Sequence, residues 1–212
     1  ERQVFITNDD TTKAAMYVTV AAFNNDYVSC LNNEIYREDE TGTKEWLGTH
    51  CTAATAAAMM AGSVIATPLT HRYIKASDVR FVATDFDPSD NTDFANGVTN
   101  GLLFLETVPG TGIRFAKGIT TYTLEDNDAR CHLEVVEARI RHRVILRRAL
   151  DVPEIGHKGR GVRTADSILR RVVEAHRLMS DPNDPDFIIV EGTDSEGNSL
   201  PPYRNIRVTV SG

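Results

Sequence analysis

Cysteine is scarce in this chain of 212 residues, and the three that occur, Cys30, Cys51 and Cys131, are scattered along it. None sits in a CxxC pair, which leaves no zinc or thioredoxin-type spacing, and three are too few for a disulfide framework. The expected compartment is reducing. Long apolar runs are also missing: nothing approaches the roughly 20 apolar residues that span a bilayer, and the opening ERQVFITNDD lacks the basic-then-apolar order of a signal peptide. No membrane insertion is expected. The chain opens on Glu1 and reaches an apolar run, Val4 to Ile6, almost at once, so it reads as a fragment of a larger protein.

Hydrophobic residues make up 41% of the chain, enough to build a core for one large domain or two small ones. The net charge of −7 is unevenly distributed. Residues 1–128 carry 9 basic and 18 acidic residues, residues 129–178 carry 12 and 6, and residues 179–212 carry 2 and 6. A basic segment inside an acidic chain suggests one surface made for a partner. That segment has no aromatic residue to stack on bases, and the chain as a whole is acidic, so no nucleic-acid partner is expected.

The pattern along the chain predicts a strand at Val4–Thr7 and a helix from about Thr12 to Phe23, with Asn8, Asp9 and Asp10 supplying cap residues. A strand from Tyr27 to about Tyr36 follows, then a polar loop, Arg37–Gly48. The alanine-rich stretch from Thr49 reads as a helix packed on several sides. Strands are expected at Leu102–Leu105 and Ile113–Tyr122 around a turn at Pro109-Gly110. Asn127 and Asp128 can cap a helix over Ala129–Leu150, buried on two sides, whose Arg139, Arg143 and Arg147 would snorkel or pair with carboxylates. Thr164 can cap another helix, to about Met179, with an apolar face of Ala165, Ile168, Leu169, Val172, Ala175 and Met179. Strands at Phe187–Val190 and Ile206–Val210 would close the chain. The fold class is α/β (α+β), a mixed sheet packed with helices, divided into residues 1–128 and a helix-helix-strand region, 129–212.

Chemical motifs are thin. Cys51 beside His50 at a helix start is the best nucleophile candidate, since a helix N-terminus favours the thiolate, but neighbours in sequence seldom face each other. The acidic run Asp85, Asp87, Ser89, Asp90 and Asp93 has neither the Gly nor the Glu that a calcium loop needs at its sixth and twelfth positions. GHKGRG, Gly156–Gly161, lacks the GK[ST] ending of a phosphate loop and follows a helix. The hydroxyls of KGITTYT, Lys117–Thr123, have only Lys117 as a base within the run, and β-branched residues suit a strand. No catalytic residue, metal ligand or cofactor is assigned.

Three stretches together resemble the C-terminal part of contractile tail sheath proteins, found in contractile-tailed phages and related injection machines. They are AATAAAMMAGSVIATPLTHRYIK, GTGIRFAKGITTYT and the ending PPYRNIRVTVSG, in that order between Thr49 and Gly212. The resemblance implies KGITTYT is a core strand without chemistry. It implies a structural subunit, not an enzyme, that needs no cofactor and polymerises with its own copies in stacked rings around a tail tube protein, above a baseplate. Its place would be the virion tail, assembled in the host bacterial cytoplasm. Charge then suggests a tube-facing surface of Lys158, Arg160, Arg163, Arg170, Arg171 and Arg177. The alternating Ile206, Arg207, Val208, Thr209 and Val210 suggest a strand lent between subunits. Two other readings remain open from the residues: a hydrolase or transferase domain using Cys51 or the GHKGRG loop, and an adaptor binding an acidic partner through the basic helices.

Overall fold

In the computed structural model of the chain, the structure describes residues 3–61, 70, 72–74, 78–125, 127–150, 165–184, 192–193 and 198–200. They form a mixed α/β arrangement of helices with several small sheets. Two compact units result, one holding the described residues up to Glu137 and the other those from Ala138 onward.

In the first unit, two buried runs set the layers. Strand β1 (Val4–Thr7) lies parallel to β2 (Val28–Leu31), in register Val4 with Val28 through Thr7 with Leu31. The connection is helix α1 (Lys13–Phe23), which makes a βαβ unit. Leu102 bridges to Cys30 on the other side of β2. Successive residues of an extended chain point to opposite faces, and here they feed two different cores. Cys30, Leu102 and Phe104 join Met16 and Val20 of α1, with Ala83 and Phe86. Leu31, Leu103 and Leu105 join Ala53, Ala56 and Met60 of helix α2 (Thr49–Ala61), with Phe115 and Leu133. A continuous apolar run buried on both faces is the mark of such a layered core.

Two asparagines fasten this centre. Asn32, fully buried, donates from its amide to Asn8 O (2.7 Å) and Asp10 O (3.2 Å) and accepts from Ala83 N (2.8 Å). Asn33 Oδ1 accepts from Leu105 N (3.0 Å), and its carbonyl accepts from Thr52 Oγ1 (2.7 Å). The single run expected over Tyr27–Tyr36 is therefore two strands. Asn32 turns the chain between β2 and β3 (Asn33–Glu38), and β3 enters another sheet.

That sheet corrects the polar loop expected at Arg37–Gly48. β3 pairs antiparallel with β4 (Lys44–Trp46), Tyr36 opposite Trp46 and Glu38 opposite Lys44. Asp39 Oδ1 takes the N–H groups of Thr41 and Thr43 and the Thr41 hydroxyl, and Gly42 supplies a φ of 79°. Polar residues here build a hairpin turn. β6 (Val79–Phe81) completes the sheet on the other side of β3. A third sheet has the order β5 (Tyr73–Ile74), β8 (Gly112–Phe115), β7 (Leu105–Val108), all antiparallel, so its strands begin and end later than the expected Leu102–Leu105 and earlier than Tyr122.

Helix starts also differ in detail. Thr12, not Asn8 to Asp10, caps α1, its side chain accepting from Ala15 N, while Asn8 is buried and bonds to Met16 O. Asp90 caps α3 (Asn91–Thr99) through Thr92 N and Asp93 N. α2 buries one face, Thr52, Ala53, Ala56 and Met60, and leaves Ala54, Ala57 and Ala58 exposed, so small residues do not mean packing on several sides here.

KGITTYT is core but not a strand. Ile119 makes only an isolated bridge with His132. Thr120 Oγ1 donates to Arg130 O (2.7 Å), and Thr121 Oγ1 to Asn25 O (3.1 Å), both threonines being buried. The segment grips the point where the expected single helix is broken. α4 (Asp128–Cys131) ends there, capped by Asn127 Oδ1 on Ala129 N, and α5 (Leu133–Leu150) begins. Thr120 N donates to Cys131 O, and Leu133 N to Gly118 O. Gly101, at φ 79°, is what lets the chain pass close behind: a Cβ there would lie 2.9 Å from Thr120 O and Thr121 Cα.

In the second unit, Ile145 of α5, with Leu146 and Ala149 beside it, packs on Ala175 and Met179 of α6 (Ala165–Met179). The burial on two sides expected of α5 is only partial: Val135 and Val144 are exposed. β9 (Gly192–Thr193) and β10 (Ser199–Leu200) form a short antiparallel pair in the sequence between the two closing strands expected at Phe187–Val190 and Ile206–Val210. The strands expected at Phe187–Val190 and Ile206–Val210 lie outside the described residues. Among the described residues no helix is long and apolar enough to cross a membrane.

Candidate assembly surface

Helix α6 is the described part of the charged surface expected from sequence. With Ala175 and Met179 buried, the opposite side carries Arg170, Glu174 and Arg177 into solvent, with Arg171 half-buried. Arg177 is engaged within its own helix: its Nε lies 3.0 Å from Glu174 Oε2 and its Nη2 2.8 Å from Oε1. This forked pair holds the Glu174 carboxyl below its usual range. Lys158, Arg160 and Arg163 lie outside the described residues, as does the whole strand from Ile206 to Val210. On α5, Arg143 and Arg147 are exposed and Arg139 half-buried.

The chemical candidates are used otherwise. Cys51 is half-buried in the first turn of α2, its N–H on Gly48 O, and the exposed His50 ring lies against Gly48, where a Cβ would stand 2.7 Å from it. Cys30 is buried in the core beneath α1. Its thiol is pushed up to about 12 by burial and then by Asp10, so it stays protonated. In the acidic run, Asp85 Oδ1 accepts from Lys13 N, Asp87 Oδ1 from Ser89 N and Oγ, and Asp90 Oδ1 caps α3. Asp93 accepts from Asp87 N and pairs with Lys13 at 2.9 Å, which together lower its pKa. Those carboxylates fasten backbone to backbone. Among the described residues no group of three or more His, Cys, Asp or Glu is placed to hold a metal ion.

Sequence reasoning missed one contact in this region. His142 of α5 and His176 of α6 meet edge to face, with Nε2 atoms 3.1 Å apart. Each stands beside an arginine in the sequence, and charge drew attention away from the imidazoles. The helical spacing that puts Ala175 and Met179 on the packed face also carries His176 to its border.

No protein-family model matches the sequence, and no curated protein matches it. Solved structures do match. A sheath tail protein from Desulfitobacterium hafniense aligns over 90% of this chain with a TM-score of 0.58 and 12% identity. The chain has the fold of tail sheath proteins. The helical sheath of the anti-feeding prophage, in its contracted state, aligns over 99% of the chain with a TM-score of 0.58 and 10% identity. The chain spans 49% of the length of the first tail sheath protein and 61% of the second.

Proposed function

We propose that this chain is a structural subunit of a contractile tail sheath, that it polymerises with its own copies around a rigid tube, and that sheath contraction drives the tube through a cell envelope. The observation that carries the reading is the likeness of nearly the whole chain to tail-sheath folds, one of them an assembled helical sheath. The subunit has no catalytic role; it stores energy as a difference in packing between two lattice states, a few kcal/mol at each interface multiplied over many copies. Its partners are further sheath subunits, the tail tube and the baseplate, in a virion or prophage-like tail assembled in the bacterial cytoplasm. Residues 1–128 form the middle region and 129–212 the part that meets tube and neighbours.

Two surfaces follow. The strand Ile206 to Val210 pairs with a neighbour's sheet, because main-chain hydrogen bonds can join subunits that still swing relative to one another. Lys158, Arg160, Arg163, Arg170, Arg171 and Arg177 face the tube. Deleting Asn205–Gly212 tests the first: the shortened protein should stay folded and fail to polymerise. Ordered sheaths from it would refute the lent strand. Reversing Arg170, Arg171 and Arg177 to Glu together should weaken retention on tubes in low salt, since steering by surface charge is screened in high salt. Normal decoration of tubes by the triple variant in low salt would refute the tube-facing assignment.

A further inference from the structure

The histidine contact has a defined proton arrangement. His176 Nδ1 lies 2.7 Å from Val172 O, and a carbonyl can only accept, so Nδ1 carries the proton and Nε2 of a neutral His176 is an acceptor. That acceptor stands 3.1 Å from His142 Nε2, which must then donate. The other helix-to-helix contact is the apolar seam of Ile145, Ala175 and Met179. The contact between the two rings thus depends on which nitrogens hold protons, in a way the apolar seam does not.

We propose that His142 and His176 form a proton-controlled clasp between α5 and α6, closed while His176 Nε2 keeps its lone pair and opened when both rings are charged. One added proton, on His142 Nδ1, keeps the donor but puts a charge where burial, His176 and Arg143 oppose it, so the closed form weakens from this first step. A second, on His176 Nε2, removes the acceptor and sets two cations in contact. The groups that bear on His142 are His176 across from it and Arg143 next to it, and both oppose charging. On α6, Arg177 follows His176 and is occupied by Glu174; on α5, Arg139 lies one turn before His142. Burial first, then His176 and Arg143, hold the His142 pKa below its usual 6.5. A folded-state pKa below the unfolded value means that the open form binds more protons. The clasp is therefore fully stabilising above pH about 6.5 and weakens as pH falls toward the folded value. The same local positive charge argues against a dication, and no third ligand accompanies the pair among the described residues.

Amide hydrogen exchange on the whole protein from pH 8 to pH 5, corrected for intrinsic rates, tests this. Protection of α5 and α6 should fall by up to about tenfold per pH unit below pH 6.5, the slope of one linked proton, while α1 and α2 hold theirs. His142→Gln retains an N–H that can reach the lone pair but cannot gain a proton, and should flatten the dependence. Full acid sensitivity in that variant, or equal wild-type protection at pH 5 and pH 8, overturns the clasp. If the variant does not fold, NMR titration of the wild-type rings decides. Two coupled steps, one below the ordinary histidine range, support the clasp; two independent titrations at ordinary values overturn it. None of these outcomes depends on whether the protein forms a sheath.

Discussion

The two units are held together by different means. In the first, two apolar clusters meet across a layer of extended chain, and the buried polar groups Asn32, Asn33, Thr120 and Thr121 are bonded to backbone. In the second, the described contact between α5 and α6 rests on three buried side chains and a pair of imidazoles. The first unit should behave as a rigid body that resists local opening. The second joins its helices through contacts that charge can disturb, and it carries the exposed basic face. Low-stability elements are the ones that can rearrange.

Core truncation should separate the units most strongly. Phe104 is fully buried and packs edge to face on Phe86 and Phe94. Phe104→Ala should cost about 3–5 kcal/mol in denaturant unfolding of the first unit. Ile145→Ala, on the thinner seam, should cost about 2 kcal/mol, at the low end for such changes, and exchange should localise the loss to α5 and α6. A comparable loss of protection across α1 and α2 in that variant would mean the units are not separable.

Next in size is the asparagine junction. Asn32→Leu leaves Ala83 N and Asn8 O without their partner, and should cost about 1–3 kcal/mol for each buried group left unsatisfied. A near-neutral result would show that the junction does not hold the first unit together. Gly101→Ala should cost more than about 1 kcal/mol, because both its positive φ and the backbone of Thr120 and Thr121 resist a Cβ. Thermal melts of the variant against wild type measure it, and an unchanged midpoint would contradict the close approach.

pH sharpens the same comparison. In the first unit Asp39, Asp87 and Asp93 have pKa values below their usual 3.8, the leading causes being bonds from the Thr41 side chain, the Ser89 side chain and Asp87 N–H respectively. Depressed carboxylates stabilise above the unfolded value and lose that contribution as pH falls through the folded one, so these lose it only below about 3.8. Between pH 6.5 and about 4, only the second unit should loosen. The smallest effect belongs to Glu174→Gln, which should leave the thermal midpoint unmoved while removing one negative charge from the basic face of α6 and strengthening retention on tubes in low salt.

Much of this was legible from periodicity. The bounds of β1 and α6, the start of α2, the burial of Ala175 and Met179 on α6 and the cap at Asn127 follow from local patterns, which depend on few residues. What sequence concealed was set by distant partners. Asn32-Asn33 lies in what reads as one strand, yet the strand divides there because Asn8, Ala83 and Leu105 come to the two side chains. KGITTYT has strand composition, but its hydroxyls bond to Asn25 and Arg130 instead of a ladder. The hairpin at Glu38–Lys44 was hidden by its polarity, and the histidine pair by 34 residues of separation. Of the proposed assembly surface, only α6 and its arginines lie within the described residues.

The central claim is that the chain belongs to a subunit that polymerises, and electron microscopy of the full-length protein, alone and with its tail tube, tests it most directly. The account expects rings or helical sheaths of regular subunit spacing, ordered along tubes where these are present. Single, unassembled subunits at every concentration tried, with no decoration of tubes, would contradict it.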